Sequence, residues 1–147
     1  MKQIRRLTAL LLTLCVLFTL AAPAFAASSV QSEMKDSAEY MLSAVKAPEV
    51  GSIGGEWAVI GLARSGCSVP ANYFESYYAR VEKYVKDCKG VLHERKYTEY
   101  SRVILALTAI GKDPSNVAGY DLLKPLGDFE KSVWQGINGP IWALIAL

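Results

Sequence analysis

Hydrophobic positions along this chain fall into two kinds of run, those apolar on all sides and those apolar on one side only. Residues 7–20 are of the first kind and follow three basic side chains, Lys2, Arg5 and Arg6. Residues 32–45 are of the second kind: Met34, Ala38, Met41, Leu42 and Val45 recur by threes and fours, the spacing of one helix face. Pro48 and the glycines at 51, 54 and 55 end that periodicity and predict a loop. Residues 56–65, EWAVIGLARS, predict a short helix apolar almost all round and stopped by Gly66. Ser68 and Pro70 then offer cap and first-turn residues for the next helix. That helix, residues 72–87, has the strongest one-sided pattern. Tyr73, Phe74, Tyr77, Tyr78, Val81, Tyr84 and Val85 share a stripe, while Glu75, Arg80, Glu82, Lys83 and Lys86 lie off it. One face is expected to be buried and the other wet.

Gly90 closes this helix, and a charged connector, 93–96, leads to Thr98, an N-cap candidate for a further helix. Its middle, 103–110, holds one polar residue, Thr108, and so should be covered on most sides. Gly111, Asp113 and Pro114 stop it; residues 120–126 give a weaker helical segment interrupted by Pro125. Asn138-Gly139-Pro140 opens a last segment, IWALIAL, again apolar all round. No segment alternates with the period of two that a half-buried strand requires, so the expected class is all-α.

The first 26 residues have the layout of a secretory leader: a basic start, an apolar stretch, then small residues ending Ala24-Phe25-Ala26. The apolar stretch is shorter than the roughly 20 residues that cross a bilayer, and an A-x-A site follows it, which favours cleavage over anchoring. Three of the 16 Lys and Arg belong to this leader, leaving 13 basic against 14 acidic residues in the rest of the chain. The basic excess is therefore a property of the leader, and no clustered Lys/Arg face suggests nucleic acid or an acidic membrane as partner. Cys15 leaves with the leader. A disulfide between Cys67 and Cys88 is not expected, because they flank the 72–87 helix, which at 1.5 Å per residue separates them by roughly 25 Å, whereas a disulfide needs Cα atoms within about 7 Å. The expected organisation is leader 1–26, an N-terminal helix with its glycine-rich loop 27–53, and a helical domain 54–147 for a secreted or surface-held protein.

The apolar helices also resemble one another. Trp57-Ala58-Val59-Ile60-Gly61-Leu62, Arg102-Val103-Ile104-Leu105-Ala106-Leu107 and Trp142-Ala143-Leu144-Ile145-Ala146-Leu147 align without gaps at periods of roughly 45 and 40 residues, in the range of helical-hairpin repeats. In such an array the all-apolar helices form an inner layer and the amphipathic ones an outer layer. The segments GGEWAVIGLARSG, TEYSRVILALTAIGKDPSNVAGYDLL and QGINGPIWALIAL resemble the N-terminal part of the prenyltransferase/squalene-oxidase-like repeat domains of exported Gram-positive proteins. The resemblance covers about residues 54–147 and lies in pattern as much as in identity. It implies an α/α toroid, the architecture of terpene cyclases, prenyltransferase β-subunits and cobalamin carriers, here as an incomplete arc of about three helix pairs.

If the three inner helices run the same way, their N-termini meet at one rim. That rim would collect Glu56, Trp57, Glu99, Tyr100, Arg102, Asn138 and Trp142, the candidate ligand-binding residues, with Asn138 also placed to cap a helix carrying Pro140 at its first position. Catalytic readings find less. The aspartate-rich acid motif of squalene-cyclase relatives is missing, and residues 135–142 approximate their Gln-x-x-x-Gly-x-Trp signature with one residue too many. The lone His93 is far from either cysteine, so no zinc site of the prenyltransferase kind and no other metal or cofactor is expected. Glu56 and Glu99 occupy similar repeat positions and could form an acid pair about 10 Å apart, the long limit for inverting glycoside cleavage. The stripe Tyr73, Phe74, Tyr77 and Tyr84 has the spacing of core packing rather than of sugar stacking, and the Lys and Arg of 83–96 are interspersed with acids as on a solvated face.

These readings point first to an exported, non-catalytic binding or scaffold module, with a corrinoid, polyisoprenoid or carbohydrate as the ligand classes. A cobalamin-carrier-like domain and a fragment of a cyclase- or lyase-like enzyme are the alternatives. The apolar 141–147 segment is expected to stay uncovered and to promote self-association, as at the cut end of a longer array. Protein recovered from the medium should begin at Ala27, since the A-x-A site lies where the apolar stretch ends; an intact Met1 in its mass spectrum would contradict this.

Overall fold

The computed structural model describes residues 2–51 and 54–147, with side chains throughout except those of 2 and 17–28. It is all-helical, with no strand among the described residues and a single isolated bridge between Val117 and Tyr120. Helix α1 runs Lys2–Ala44, α2 Glu56–Arg64, α3 Ala71–Asp87, α4 Thr98–Ala109, α5 Phe129–Ser132 and α6 Asn138–Ala146, with short 3₁₀ turns at Lys124–Gly127 and Val133–Gln135. Two compact units result, Met1–Ser37 and Ala38–Leu147.

In the first unit the helix continues through 27–31, which the pattern predicts as a polar lead-in. The reason is local: no glycine or proline occurs between Pro23 and Pro48, so nothing there interrupts the backbone hydrogen bonds. The side chains of Ala24, Phe25 and Ala26, the expected cleavage site, lie outside the described residues. No helix is long and apolar enough, among the described residues, to cross a membrane.

The second unit is built on α4, which packs against both α2 and α6. Val103, Ile104, Ala106 and Leu107 of α4 are fully buried, as its all-apolar middle predicts. Tyr73, Tyr77, Val81 and Val85 of α3 join the same core, together with Val59 and Leu62 of α2. Tyr84 does not: it stays 38 % exposed and reaches only the Leu92 carbonyl with its hydroxyl. The stripe on α3 is therefore narrower than the sequence suggests. The end of α1 is tied to α3 by the Tyr73 hydroxyl, which donates to the Val45 carbonyl at 2.8 Å, while Met41 lies against Gly61 of α2.

Several local expectations are corrected. Pro70 occupies the N-cap of α3, with no cap from Ser68; Tyr97 rather than Thr98 is the N-cap of α4; and Ile137 rather than Asn138 precedes α6, which moves Pro140 to its third residue. Residues 120–126 are not an α-helix. The Val117–Tyr120 bridge and the Asp121 carboxylate, which accepts the Leu123 and Lys124 N–H groups, turn the chain instead. Helix α5 was not visible in the pattern because it is a single turn, capped by the Asp128 carboxylate on the Lys131 N–H. That bond holds the Asp128 carboxyl below its ordinary pKa.

Two glycines are fixed by close approach. A Cβ on Gly139 would lie 1.7 Å from the Ser132 carbonyl oxygen, so α6 can seat against α5 only without a side chain there. Gly90 has φ +79° and would meet the Tyr120 ring at 2.5 Å, which fixes both its conformation and its size. The free side of α6 remains bare. Ile137, Ile141, Leu144 and Ile145 follow i, i+4, i+7, i+8 spacing and are 73, 45, 78 and 55 % exposed.

A rim cleft and its ion triad

Six of the seven candidate residues gather at one place. Trp57, Arg102, Asn138 and Trp142 line a cleft of about 310 Å³ together with Thr98 and Gln135. Glu56 and Glu99 lie behind it, both paired with Arg102. Tyr100 is elsewhere: its hydroxyl accepts the Leu92 N–H at 3.1 Å and donates to the Gly90 carbonyl, on the wall of a different cleft. The reason is angular. Two residues along a helix turn about 200°, so Tyr100 and Arg102 share a height but not a face.

Glu56 is the most constrained residue of the group. It begins α2 and has no exposed surface. One carboxylate oxygen accepts the Gly51 N–H at 2.8 Å and the other accepts the Arg102 Nε–H at 2.9 Å. The glycine-rich loop thus folds back on the carboxylate, and the carboxylate joins α2 to α4. Arg102 turns a second N–H group to Glu99, one turn earlier on its own helix. The Tyr77 hydroxyl of α3 is buried beside this cluster, next to Glu56. Its burial, and then the nearby Glu56 charge, push its pKa well above the ordinary phenol range, so it stays protonated.

This arrangement changes the acid-pair reading. The two glutamates do not face each other across an open space; they converge on one guanidinium, and Glu56 has both oxygens engaged and no access to a substrate. Among the described residues, no three His, Cys, Asp or Glu side chains gather as a metal site would need. The cysteines form no disulfide; Cys67 and Cys88 each pack against the core.

The cleft itself is formed by two tryptophans and several planar polar groups. The Trp57 and Trp142 rings, brought from α2 and α6, have centroids 5.4 Å apart and planes inclined at 60°. Gln135 accepts the Thr98 N–H at 3.0 Å, capping α4 from a distant part of the chain.

A second and larger cleft, about 810 Å³, lies between the end of α3, the start of α4 and the turns of 119–131. Tyr97, Tyr100 and Tyr120 contribute to it, with Lys89 and Lys124 as cations, and Lys131 held by Asp128 at 3.3 Å. His93 lines it while its Nδ1 accepts the N–H groups of Arg95 and Lys96. The sequence gives no sign of this cleft, because it is assembled from three turns with no shared periodicity.

No family model, curated protein or solved structure matches this chain.

The triad predicts an unequal response to substitution. Arg102→Met strands the buried Glu56 charge and should lower the unfolding free energy by about 3 kcal/mol or more. Glu99→Gln removes a partly exposed partner and should cost less than about 1 kcal/mol. Urea unfolding of the two variants measures the difference; equal losses would mean that Glu56 is not held by Arg102.

Proposed function

We propose that this chain is an exported, non-catalytic helical-repeat domain, an open arc of an α/α toroid, that binds a ligand in the rim cleft. The observation that carries this reading is the meeting of Trp57, Arg102, Asn138 and Trp142, which come from three different helices, around one small opening. Packing of α4 against both α2 and α6 supports the repeat arrangement, since these are the three helices that align in sequence. A leader at the N-terminus supports export.

The geometry favours binding over catalysis. The one carboxylate pair near the cleft is committed to Arg102, and Tyr77 is too deeply buried and too firmly protonated to serve as a base. Cleft size also bears on the ligand. A volume of about 310 Å³ is at the lower end for small-molecule sites, too small to enclose a corrinoid or a polyisoprenoid. The cobalamin-carrier and cyclase readings are correspondingly less favoured.

The test is co-sedimentation of the secreted chain with purified cell-wall polymer. The wild type should pellet with it, and the Trp57→Ala/Trp142→Ala double variant should pellet severalfold less at an unchanged helical circular dichroism spectrum. Equal pelleting would remove the rim cleft from the binding function.

The scaffold part of the proposal rests on α6. Its bare stripe exposes on the order of 500 Å² of apolar surface, near the most that a monomer leaves open and a large share of the roughly 800 Å² per partner of a standard interface. Residues 132–147 carry no charged side chain, so a second copy of this helix meets the stripe without repulsion. Sedimentation should show concentration-dependent association that Leu144→Glu abolishes; a wild type that stays monomeric at tens of micromolar would overturn it.

A further inference from the structure

We infer that the rim cleft takes a single ring of a neutral carbohydrate, a hexose or N-acetylhexosamine unit of a longer polymer. The inference rests on the rim cleft being the binding site and names what enters it. Three features narrow the class.

The first is the pair of tryptophans. At 5.4 Å and 60° the two indoles pack on one another and form a single aromatic surface, of which Trp57 is 43 % exposed. An indole face carries negative potential and attracts the C–H-rich face of a pyranose, while leaving its equatorial hydroxyls turned outward.

The second is charge. Glu56, Glu99 and Arg102 together hold one net negative charge, and the guanidinium that borders the cleft is already shared between two carboxylates. An anion entering here meets an arginine whose charge is spent and two acids behind it. The charge therefore disfavours an anion, and the choice of a neutral ligand over a cation rests on the hydrogen-bonding groups of the cleft.

The third is hydrogen bonding. Thr98 supplies a hydroxyl, Asn138 an exposed amide, Gln135 the NH₂ left over from capping α4, and Arg102 the N–H groups outside its two ion pairs. Planar groups with two adjacent polar atoms match the vicinal hydroxyls of a sugar, each able to donate and accept. The volume of about 310 Å³ suits one ring with the rest of the polymer outside.

Isothermal titration calorimetry of the secreted chain tests this with cellotetraose, maltotetraose, mannotetraose and chitotetraose as neutral probes. Polygalacturonate, choline and hydroxocobalamin serve as the acidic, cationic and corrinoid alternatives. At least one neutral tetrasaccharide should bind, with an affinity unchanged between about 50 and 500 mM salt, because no ion pair is screened. Trp142→Ala and Asn138→Ala should each weaken it about tenfold or more; Asn138 is exposed, so its variant folds whatever becomes of the tryptophan. Tighter binding of polygalacturonate, choline or hydroxocobalamin than of every neutral probe overturns the carbohydrate class. Failure of all four sugars while cell-wall pelleting still depends on Trp142 also overturns it, and leaves the rim site standing. Failure of both measurements removes the two together.

Discussion

The fold of the second unit turns on a carboxylate with no access to water. Glu56 is charged chemistry placed at the first residue of an apolar helix, and burial there is tolerable only because Gly51 and Arg102 satisfy its two oxygens. Each partner comes from a different part of the chain, the loop before α2 and the middle helix α4. One residue thereby ties down Gly51, the register of α2 on α4, and the orientation of the arginine at the cleft. An apolar pair of the same volume would hold the helices at least as strongly. It would not orient a guanidinium, and it would let α2 slide along α4.

That constraint explains why the rim was legible in part. Helices α2, α4 and α6 are legible because their sequences are apolar on most sides, and placing their N-termini together brings Glu56, Trp57, Glu99, Arg102, Asn138 and Trp142 near each other. Period and height are properties of one helix and can be read from it. Which groups pair is not such a property. The capture of both glutamates by Arg102 depends on how α2 and α4 are turned about their own axes, and so does the exclusion of Tyr100, which lies on the far side of α4. Gln135 illustrates the same limit: its role as the cap of α4 spans 37 residues and leaves no local trace.

The caps of α3, α4 and α6 were misplaced for a related reason. Ser68, Thr98 and Asn138 are residues that favour N-caps in isolation, but the residues before α4 and α6, Tyr97 and Ile137, already have helical backbone, so Thr98 and Asn138 fall inside the helices. Tyr97 is buried against Tyr100, with ring centroids 5.5 Å apart, and Gly139, the second residue of α6, lies against the Ser132 carbonyl of α5. By contrast, the stops at Gly66, Gly90 and Gly111 were readable, because each has positive φ, a conformation that glycine adopts without strain.

The position of the cleft follows from these same contacts. Its lining comes from α2, α4, α6 and the turn before α6, so it exists only while those helices are held at fixed separation. Here Glu56 and Arg102 lock α2 to α4, while Gln135 and Gly139 seat the start of α6 beside the start of α4. The two tryptophans, one residue beyond Glu56 and four beyond Asn138, are carried to 5.4 Å by those anchors. Their spacing is therefore set by Glu56 and Gly139 behind the opening together with Arg102 and Gln135 on its wall. Glu56 and Gly139 are buried whereas Trp57 and Asn138 are open, so substitution at the first pair disturbs the cleft itself and substitution at the second alters only its surface.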